Sequence, residues 1–268
     1  MVCYREAMEP SPELAAALDA AEQAAVIART LYRRNLEVRV KADKSPVTAA
    51  DLQCETAIRE ILEARFPGHG FHGEETGSRG AQAESVWLVD PIDGTKAFVR
   101  EYPMFSTQIA LMRRGEIVLG VSSAPLYGEL AYAERGRGAY LNGAVLRVSD
   151  VGAIDSAALS SGNLQSLASG AQWARYGRLV ARVDRIRGYG DFLHYHLLAG
   201  GKIDAVIESD VNILDIAACA AIVAEAGGRF TDLAGAPLTL ETRSVLATNG
   251  RLHEAVLEAL GAPDLNRS

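Results

Sequence analysis

The sequence Trp87-Leu-Val-Asp90-Pro-Ile-Asp93-Gly-Thr95 decides how the rest of the chain is organised. Val86–Val89 is a short apolar run, which is typical of a buried strand. The run ends at Asp90, and Pro91 then removes a backbone donor and turns the chain. We therefore expect Asp90 and Asp93 to lie together at the end of a strand.

The residues around this strand end suit one kind of ligand. The Ile92 carbonyl should point between the two carboxylates, and a helix can begin at Gly94 and Thr95, where its free N–H groups could bind an anion. Carboxylate and carbonyl oxygens are the ligands that hard cations prefer. The stretch predicts a site for divalent cations and a phosphate group, although a turn in which Asp90 and Asp93 only cap a helix would use the same residues.

Composition places the chain among ordinary globular proteins. It has 268 residues, of which 49% are hydrophobic and 23% charged, and a net charge of −7. This charge without a basic block argues against nucleic acid as a partner. The apolar runs fall short of the ~20 residues of a membrane span, and the start of the chain does not resemble a signal peptide. Separated cysteines without a Cys-x-x-Cys pair suit a reduced cytoplasm.

Helical and strand patterns cover the rest of the chain. Ser11-Pro12-Glu13 predicts the start of a helix that continues to about Arg34. Thr48 with Asp51 predicts a capping box for a second helix, which stops at Phe66-Pro67-Gly68. Strands and hairpins follow the central stretch, and alternating strands and helices fill the C-terminal part. The predicted C-terminal elements are strands over Ala157–Ser160, Val183–Arg187, Ile203–Ile207, Arg229–Thr231 and Val245–Thr248, and helices over Ala171–Ala181, Phe192–Ala199, Asp215–Ala226 and Leu252–Leu260.

Three more acidic residues stand where a site could be completed. Glu74 lies in a Gly-Glu-Glu sequence, Asp215 lies at the start of a helix, and Asp51 lies in a helix first turn. Each has an ordinary structural explanation, as a loop-surface residue or as a helix cap that faces water. Their joint occurrence with the central stretch favours a shared site.

This combination of motifs resembles the inositol monophosphatase family. The resemblance runs from Lys41 to Asn249 and includes Gly73-Glu-Glu75, the central stretch and Leu214-Asp-Ile-Ala-Ala218. One departure is Leu214, where the family usually has tryptophan; it removes a packing ring but no ligand. The resemblance implies a layered α/β fold, a five-layer αβαβα sandwich with an N-terminal half over 1–150, a C-terminal half over 151–268 and the site between them. It also implies a homodimer.

The resemblance further implies the ligands of a metal centre. A first Mg²⁺ would be held by Glu74, Asp90 and the Ile92 carbonyl. A second would be held by Asp90, Asp93 and Asp215. A third, weaker Mg²⁺ would lie near Glu74, and Mn²⁺ could replace the ion.

The same resemblance implies the roles of the residues that handle substrate. Gly94 and Thr95 would hold the phosphate, Thr95 with Asp51 would orient the attacking water, and Lys41 would lie near the metals. The implied catalytic residues are Asp51, Glu74 and Thr95, and the implied substrate contacts are Lys41, Asp93, Gly94, Thr95, Asp191, Glu208 and Asp215.

The chemistry explains why these residue types are needed. Cleavage of a phosphate ester requires neutralised charge on the phosphoryl oxygens and an oriented nucleophile. Two divalent cations ~3.5–4 Å apart stabilise the attacking and leaving oxygens and make a water more acidic. Asp51 would accept the proton of that water, and a covalent intermediate is not implied.

Other hydrolase classes fit the sequence less well. Haloacid-dehalogenase-type enzymes use Asp-x-Asp-Gly-Thr, whereas two residues separate Asp90 from Asp93 here. The chain has no His-Glu-x-x-His for zinc, and His69, His72 and His253 are expected at the surface or in loops. A member of the family that regulates or binds instead of catalysing is a further alternative, which the intact ligand set disfavours.

The substrate is the least determined part. Arg187-Gly-Tyr-Gly-Asp191-Phe and Glu225-Ala-Gly-Gly-Arg-Phe-Thr-Asp232 resemble the histidinol-phosphate phosphatases of bacterial histidine synthesis. Inositol-1-phosphate is the alternative, followed by a sugar bisphosphate or a nucleotide 3′-phosphate. Asp191 and Glu208 stand where the family contacts the leaving group, and two carboxylates would suit the ammonium of histidinol. Alternatively, Asp191 only caps a helix and Glu208 is solvated.

Overall fold

The strand that carries Asp90 and Asp93, Ser85–Asp93, lies inside a mixed eight-stranded sheet. The computed structural model describes residues 9–34, 37–41 and 46–261. Strand β5 pairs in parallel with β3 and antiparallel with β6, and the other neighbours in the sheet are antiparallel. In spatial order the strands are β10 (Ala144–Val145), β9 (Gly138–Leu141), β8 (Glu129–Glu134), β7 (Glu116–Ala124), β6 (Ser106–Arg113), β5 (Ser85–Asp93), β3 (Gly70–Gly73) and β4 (Gly77–Arg79).

A second sheet of five strands is built from the C-terminal part of the chain. Its central strands β11 and β13 are parallel to each other, and β15 is antiparallel to β13. In spatial order the strands are β12 (Arg185–Arg187), β11 (Ala158–Gly162), β13 (Ala205–Ser209), β15 (Ser244–Thr248) and β14 (Arg229–Thr231). A separate short ribbon pairs β1 (Arg39–Val40) with β2 (Pro46–Val47).

The helices cover both sheets and fill the space between them. They are α1 (Pro12–Leu31), α2 (Ala49–Arg65), α3 (Thr95–Val99), α4 (Gln165–Ser169), α5 (Trp173–Val180), α6 (Asp191–Ala199), α7 (Ile213–Glu225) and α8 (His253–Leu260). Helices α1 and α2 pack on the outer face of the large sheet, α6 and α7 lie between the sheets, and α4, α5 and α8 cover the small sheet. The predicted five-layer αβαβα sandwich is confirmed.

Side chains that alternate along the strands bury both faces of each sheet, as a layered fold requires. On β5, Leu88 packs in the core between the sheets, whereas Trp87 and Val89 pack against α1 and α2. On β13, Val206 packs between the sheets and Ile207 packs with the outer helices. The core between the sheets contains residues from both halves of the chain, and the division at 150/151 stays a prediction.

Local capping signals place the helix ends. Ser11 accepts a hydrogen bond from the Leu14 N–H, as its Ser-Pro-Glu sequence predicts, but α1 ends at Leu31 and not at Arg34. Helix α7 begins two residues before the predicted Asp215, because Asn212 is the N-cap. Among the described residues, the structure has no helix that is long and apolar enough to cross a membrane.

The close approach of α7 to the large sheet gives a testable prediction. A Cβ at Gly120 of β7 would lie 2.3 Å from the Ala218 carbonyl oxygen of α7. Because backbone cannot move aside as a side chain can, Gly120→Ala should lower the free energy of unfolding by about 1–3 kcal/mol, measured by denaturant titration. Gly152→Ala is the matched control, since nothing lies within 4 Å of its Cβ. Equal stability of the two variants would contradict the close packing.

Candidate active site

An irregularity in β5 brings Asp90 and Asp93 to the same side of the sheet. Asp90 pairs with Gln108 and Asp93 pairs with Ser106, so that two residues of β5 lie opposite one residue of β6. In a regular strand, residues three apart point to opposite faces. The bulge cancels that alternation, and the Thr107 hydroxyl of β6 stabilises it by donating to the Pro91 carbonyl at 2.8 Å.

Glu74 reaches the same place through the parallel pairing of β3 with β5. Gly73 pairs with Val89, so Glu74 follows at the level of Asp90. The Glu74 N–H donates to the Val89 carbonyl at 3.1 Å, which continues the pairing beyond β3. The position of Glu74 is therefore set by strand register and not by a free loop.

Asp215 comes from the first turn of α7 and completes an acidic cluster. Its Oδ2 accepts a hydrogen bond from the Asn212 N–H at 3.0 Å, while Asn212 caps the helix in return. Carboxylate oxygens of Asp90, Asp93 and Asp215 lie within 4.8 Å of one another. Capping uses one oxygen of Asp215, and the other stays available to the cluster.

The electrostatics of the cluster favour binding of a positively charged ligand. Burial, followed by the charges of Glu74, Asp93 and Asp215, raises the pKa of Asp90 well above its usual range. Burial and neighbouring carboxylates also raise the pKa of Asp93, and burial raises the pKa of Asp215 to about 6. Buried carboxylates at such distances repel one another unless a cation or protons intervene. The oxygen-only donor set fits a hard divalent cation.

Lys41 places a positive charge at the edge of the acidic cluster. Its ammonium donates to Glu74 Oε1 at 2.8 Å and to Glu75 Oε1 at 2.6 Å. Burial opposes the charged lysine, but these two carboxylates outweigh it and raise the pKa of Lys41. Lys41 thus contacts a predicted metal ligand directly.

Glu55 is a site residue that the sequence reasoning missed. It is fully buried in α2 and accepts hydrogen bonds from the Glu75 N–H at 2.7 Å and the Thr76 N–H at 2.8 Å. A Cβ at Gly73 would lie 2.5 Å from the Glu55 carboxyl carbon, so only glycine leaves room for it. Glu55 therefore holds the turn that carries Glu74. Its spacing four residues after Asp51, on the same helix face, was the available signal.

Thr95 and Asp51 meet as the family resemblance implies. The Thr95 hydroxyl lies 3.2 Å from Asp51 Oδ1 and 3.1 Å from the Ile92 carbonyl. Asp51 Oδ2 is held by the N–H and the hydroxyl of Thr48 in the predicted capping box. Burial raises the pKa of Asp51, and the hydrogen bonds from Thr48 and Thr95 oppose that rise.

Gly94 makes the turn between β5 and Thr95. Its φ is +94°, and a Cβ there would lie 2.6 Å from the Met104 carbonyl oxygen. Both observations require glycine. The turn starts α3, so the N–H groups of its first residues have no partner within the helix and are available to an anion.

One cleft of about 570 Å³ is bordered by the acidic cluster, Glu74, Gly94 and Thr95, whereas Asp51 and Glu55 are fully buried beside it. Asp191 lines it from the start of α6, and Lys96 and Arg243 contribute positive charge. The described residues that line it are Pro46, Glu74, Asp90, Ile92, Asp93, Gly94, Thr95, Lys96, Ala97, Tyr102, Asn163, Asp191, Asp210, Val211, Asn212, Asp215 and Arg243.

Glu208 and His253 lie elsewhere than expected. The Glu208 side chain is 3% exposed, and its Oε2 accepts hydrogen bonds from the Tyr195 hydroxyl at 2.5 Å and from His194 Nε2 at 3.1 Å. Its carboxylate is therefore inside the protein, neither solvated nor open to the cleft. His253, expected at the surface or in a loop, is fully buried between Thr231 and Thr248. Its ring fills a polar gap in the small sheet's outer core.

Comparisons with known proteins agree with this architecture. The model of the inositol monophosphatase family matches residues 9–263. The chain belongs to the inositol monophosphatase family. A histidinol-phosphatase of Mycobacterium tuberculosis is 41% identical over 256 residues, 93% of this chain and 98% of the relative. An inositol-1-monophosphatase of Rhizobium meliloti is 36% identical over 234 residues, 86% of this chain and 88% of the relative.

A solved structure of the family has the same fold. The extragenic suppressor protein suhB of Bartonella henselae superposes with a TM-score of 0.85 at 31% identity, covering 93% of this chain and 98% of that chain. Members of the inositol monophosphatase family are metal-dependent, which accords with the cluster of Asp90, Asp93 and Asp215. Leu214, at the family's usual tryptophan position, is buried in the core between the sheets.

The raised carboxyl pKa values predict an inverted pH dependence of stability. Burial raises the pKa of Asp215 to about 6 in the folded protein, against an ordinary value of 3.8. Between these values the folded state holds a proton that the unfolded chain has released, so the cation-free protein should lose stability as the pH rises through this window. Thermal unfolding in chelator should show this loss, and Asp215→Asn, which cannot ionise, should reduce it.

The same argument predicts that a divalent cation stabilises the protein more at neutral pH than at about pH 4, because protons compete for the carboxylates at low pH. Thermal unfolding with and without Mg²⁺ at both pH values measures this difference. A cation effect that is equal at the two pH values would contradict the assignment of a divalent-cation site to the acidic cluster.

Proposed function

We propose that this protein is a divalent-cation-dependent phosphomonoesterase. The observation that carries the proposal is the acidic cluster of Asp90, Asp93 and Asp215 in the same cleft as Thr95, whose hydroxyl contacts the buried Asp51. The cluster provides oxygen ligands, and the pair can orient and deprotonate a water. Family membership supports the same reaction class.

The family resemblance supplies the proposed cation ligands, and the grouping of Asp90, Asp93 and Asp215 supports them. Glu74, Asp90 and the Ile92 carbonyl would hold one Mg²⁺, and Asp93 and Asp215 would share Asp90 with a second; a third ion near Glu74 and replacement by Mn²⁺ belong to the same proposal. Bound there, the cations would neutralise the phosphoryl oxygens and make the attacking water more acidic.

The chain itself supplies orientation and proton transfer. The Thr95 hydroxyl can donate to Asp51 and accept from a water, and Asp51 can take up the proton that the water loses. Burial raises the pKa of Asp51, which makes it a better base. The N–H groups at Gly94 and Thr95 would bind the phosphate, and Lys41 would offset the charge of Glu74.

Removing one charge from the cation site should abolish the reaction without unfolding the protein. Asp93→Asn and Asp215→Asn should each lower kcat/KM by at least about 100-fold, since ligand loss weakens cation binding and transition-state stabilisation. Phosphate release under a Mg²⁺ titration measures this. Asp210→Asn is the matched control, because Asp210 lines the same cleft but accepts a hydrogen bond from the Ser166 N–H of α4. Full activity of either ligand variant would contradict the assignment.

We further propose that the substrate is L-histidinol phosphate, hydrolysed in histidine biosynthesis. The Mycobacterium tuberculosis histidinol-phosphatase is the relative that supports this choice. The charge of the cleft supports it independently. Divalent cations would offset the ligand carboxylates, and Asp191 would offer a further negative charge on the proposed leaving-group side, which a positive charge on the substrate would complement. An ammonium group on the leaving group would supply that charge, and neutral inositol would not.

Inositol-1-phosphate is the alternative substrate, supported by the Rhizobium meliloti relative; a sugar bisphosphate or a nucleotide 3′-phosphate comes third. Glu208 stays in the proposal in an indirect position, because its carboxylate already binds Tyr195 and His194. It would shape the wall of the cleft beside Asp191. Burial raises the pKa of Asp191, and the charge of Glu208 raises it further.

Specificity should depend on the charge of Asp191. Asp191→Asn should lower kcat/KM for histidinol phosphate by about 10- to 100-fold, equivalent to an ionic hydrogen bond of about 1.5–3 kcal/mol, and affect an uncharged ester little. Both Asp191 and Asp210 have positive φ, which asparagine tolerates, so Asp210→Asn is again the control. Equal losses on both substrates, or faster wild-type cleavage of inositol-1-phosphate, would reject histidinol phosphate and leave the phosphatase proposal standing.

Assembly and location complete the proposal. The family resemblance supports a homodimer, which analytical ultracentrifugation would test. The buried free thiols of Cys54 and Cys219 support a reducing cytoplasm. Neither nucleic acid nor a membrane is proposed as a partner.

A further inference from the structure

A chain of polar side chains runs from the protein surface to the back of Asp93. Its inner members are buried between the large sheet and α6, on the face that carries the acidic cluster. The consecutive contacts are Asp93 Oδ2 to Ser106 Oγ at 3.2 Å, Ser106 Oγ to Gln108 Nε2 at 2.8 Å, Gln108 Nε2 to Ser122 Oγ at 3.1 Å, Ser122 Oγ to His196 Nε2 at 2.9 Å, and His196 Nδ1 to Glu129 Oε2 at 2.7 Å.

The Gln108 amide determines the direction of the hydrogen bonds on both sides. Its two N–H bonds point at Ser106 and Ser122, and its carbonyl oxygen faces the Cys219 thiol at 3.6 Å. An amide group can only donate through its nitrogen. Each serine therefore accepts from Gln108 and must direct its own hydrogen elsewhere. For Ser106 the acceptor is Asp93.

At the outer end of this hydrogen-bond network, the charge of Glu129 sets the direction of the hydrogen bond with His196. Glu129 is 25% exposed and, when ionised, only accepts, so Nδ1 of His196 carries a proton. In the neutral ring Nε2 then accepts from the Ser122 hydroxyl. Every polar hydrogen from Gln108 to Glu129 then has a single direction. A buried network with all its partners present holds its members rigidly.

This geometry orients groups and does not conduct protons. A proton that travelled from His196 to Asp93 would have to pass through the Gln108 amide nitrogen, which does not accept a proton at ordinary pH. The Ser106 hydroxyl occupies one oxygen of Asp93. The other oxygen is left for a cation, as ligating carboxylates require from their outer partners.

We propose that Gln108, Ser122 and His196 are positioning residues for the cation site, acting on Asp93 through the Ser106 hydroxyl. The inference rests on the proposed function in one respect, that Asp93 is a cation ligand. It extends the site to β7 and α6, and it makes Mg²⁺ affinity depend on residues that lie outside the cleft.

The test compares Mg²⁺ affinity in substrate-free protein by isothermal titration calorimetry. Ser106→Ala should weaken binding about 10-fold, the lower limit for an outer partner of a metal ligand. Ser122→Ala, one link further out, should weaken it about threefold. Because both act through the same hydroxyl, the double variant should match Ser106→Ala alone. Ser123→Ala is the matched control: Ser123 is buried beside Ser122 but points to the opposite face of β7.

A second pair of variants separates orientation from packing. His196→Leu and His196→Gln both lose the ring contact with Phe192, but only glutamine keeps an acceptor for Ser122. Glutamine should restore wild-type Mg²⁺ affinity and leucine should weaken it about threefold. Thermal unfolding in chelator shows that each variant is folded before titration.

The results separate this inference from the function on which it rests. Wild-type protein that binds no divalent cation would overturn both. If the wild-type protein binds Mg²⁺, three results would overturn the positioning role alone. They are equal Mg²⁺ affinities of Ser122→Ala and Ser123→Ala, additive losses of affinity in the double variant, and equal losses of affinity in the two His196 variants. Non-additive losses together with rescue by glutamine would establish it.

Discussion

Mutual repulsion among one buried and two half-buried carboxylates is the constraint on which the rest of this structure depends. Asp90, Asp93 and Asp215 have oxygens within 4.8 Å of one another, and burial raises the pKa of all three. Such an arrangement opposes folding unless a cation or protons supply charge. The surrounding fold must therefore hold these groups in place, and the five layers provide that support from three directions.

Each direction uses an ordinary backbone device for a second purpose. A bulge in β5 turns two aspartates to one face, and parallel pairing with β3 brings Glu74 to their level. Capping boxes at the starts of α2 and α7 stabilise helices while presenting Asp51 and Asp215. Because capping needs only one carboxylate oxygen, the same residue can close a helix and serve a site.

Neighbouring buried groups then refine the positions. Glu55 holds the turn that carries Glu74, and Ser106 directs a hydroxyl at Asp93. On the side that we propose for the leaving group, Glu208 is held by Tyr195 and His194 in the interior, and Asp191 lines the cleft. In the proposed phosphatase reaction the cations would neutralise phosphate, whereas the chain's own groups orient water, phosphate and the leaving group.

The sequence by itself determined the elements that depend on neighbouring residues: the central strand, the caps of α1 and α2, and the motif that identified the family. The turn expected at Pro91 and Ile92 is a bulge within β5. It also predicted the Thr95–Asp51 contact, through the resemblance. The tertiary structure decided the role of Glu55, the interior position of Glu208 and the connection of His196 to Asp93. These contacts join residues that lie apart in the chain, such as Ser122 and His196, which are 74 positions apart. Capping and turn propensities act over a few residues, whereas the partner of a buried polar group is selected by packing between layers, which local sequence does not specify.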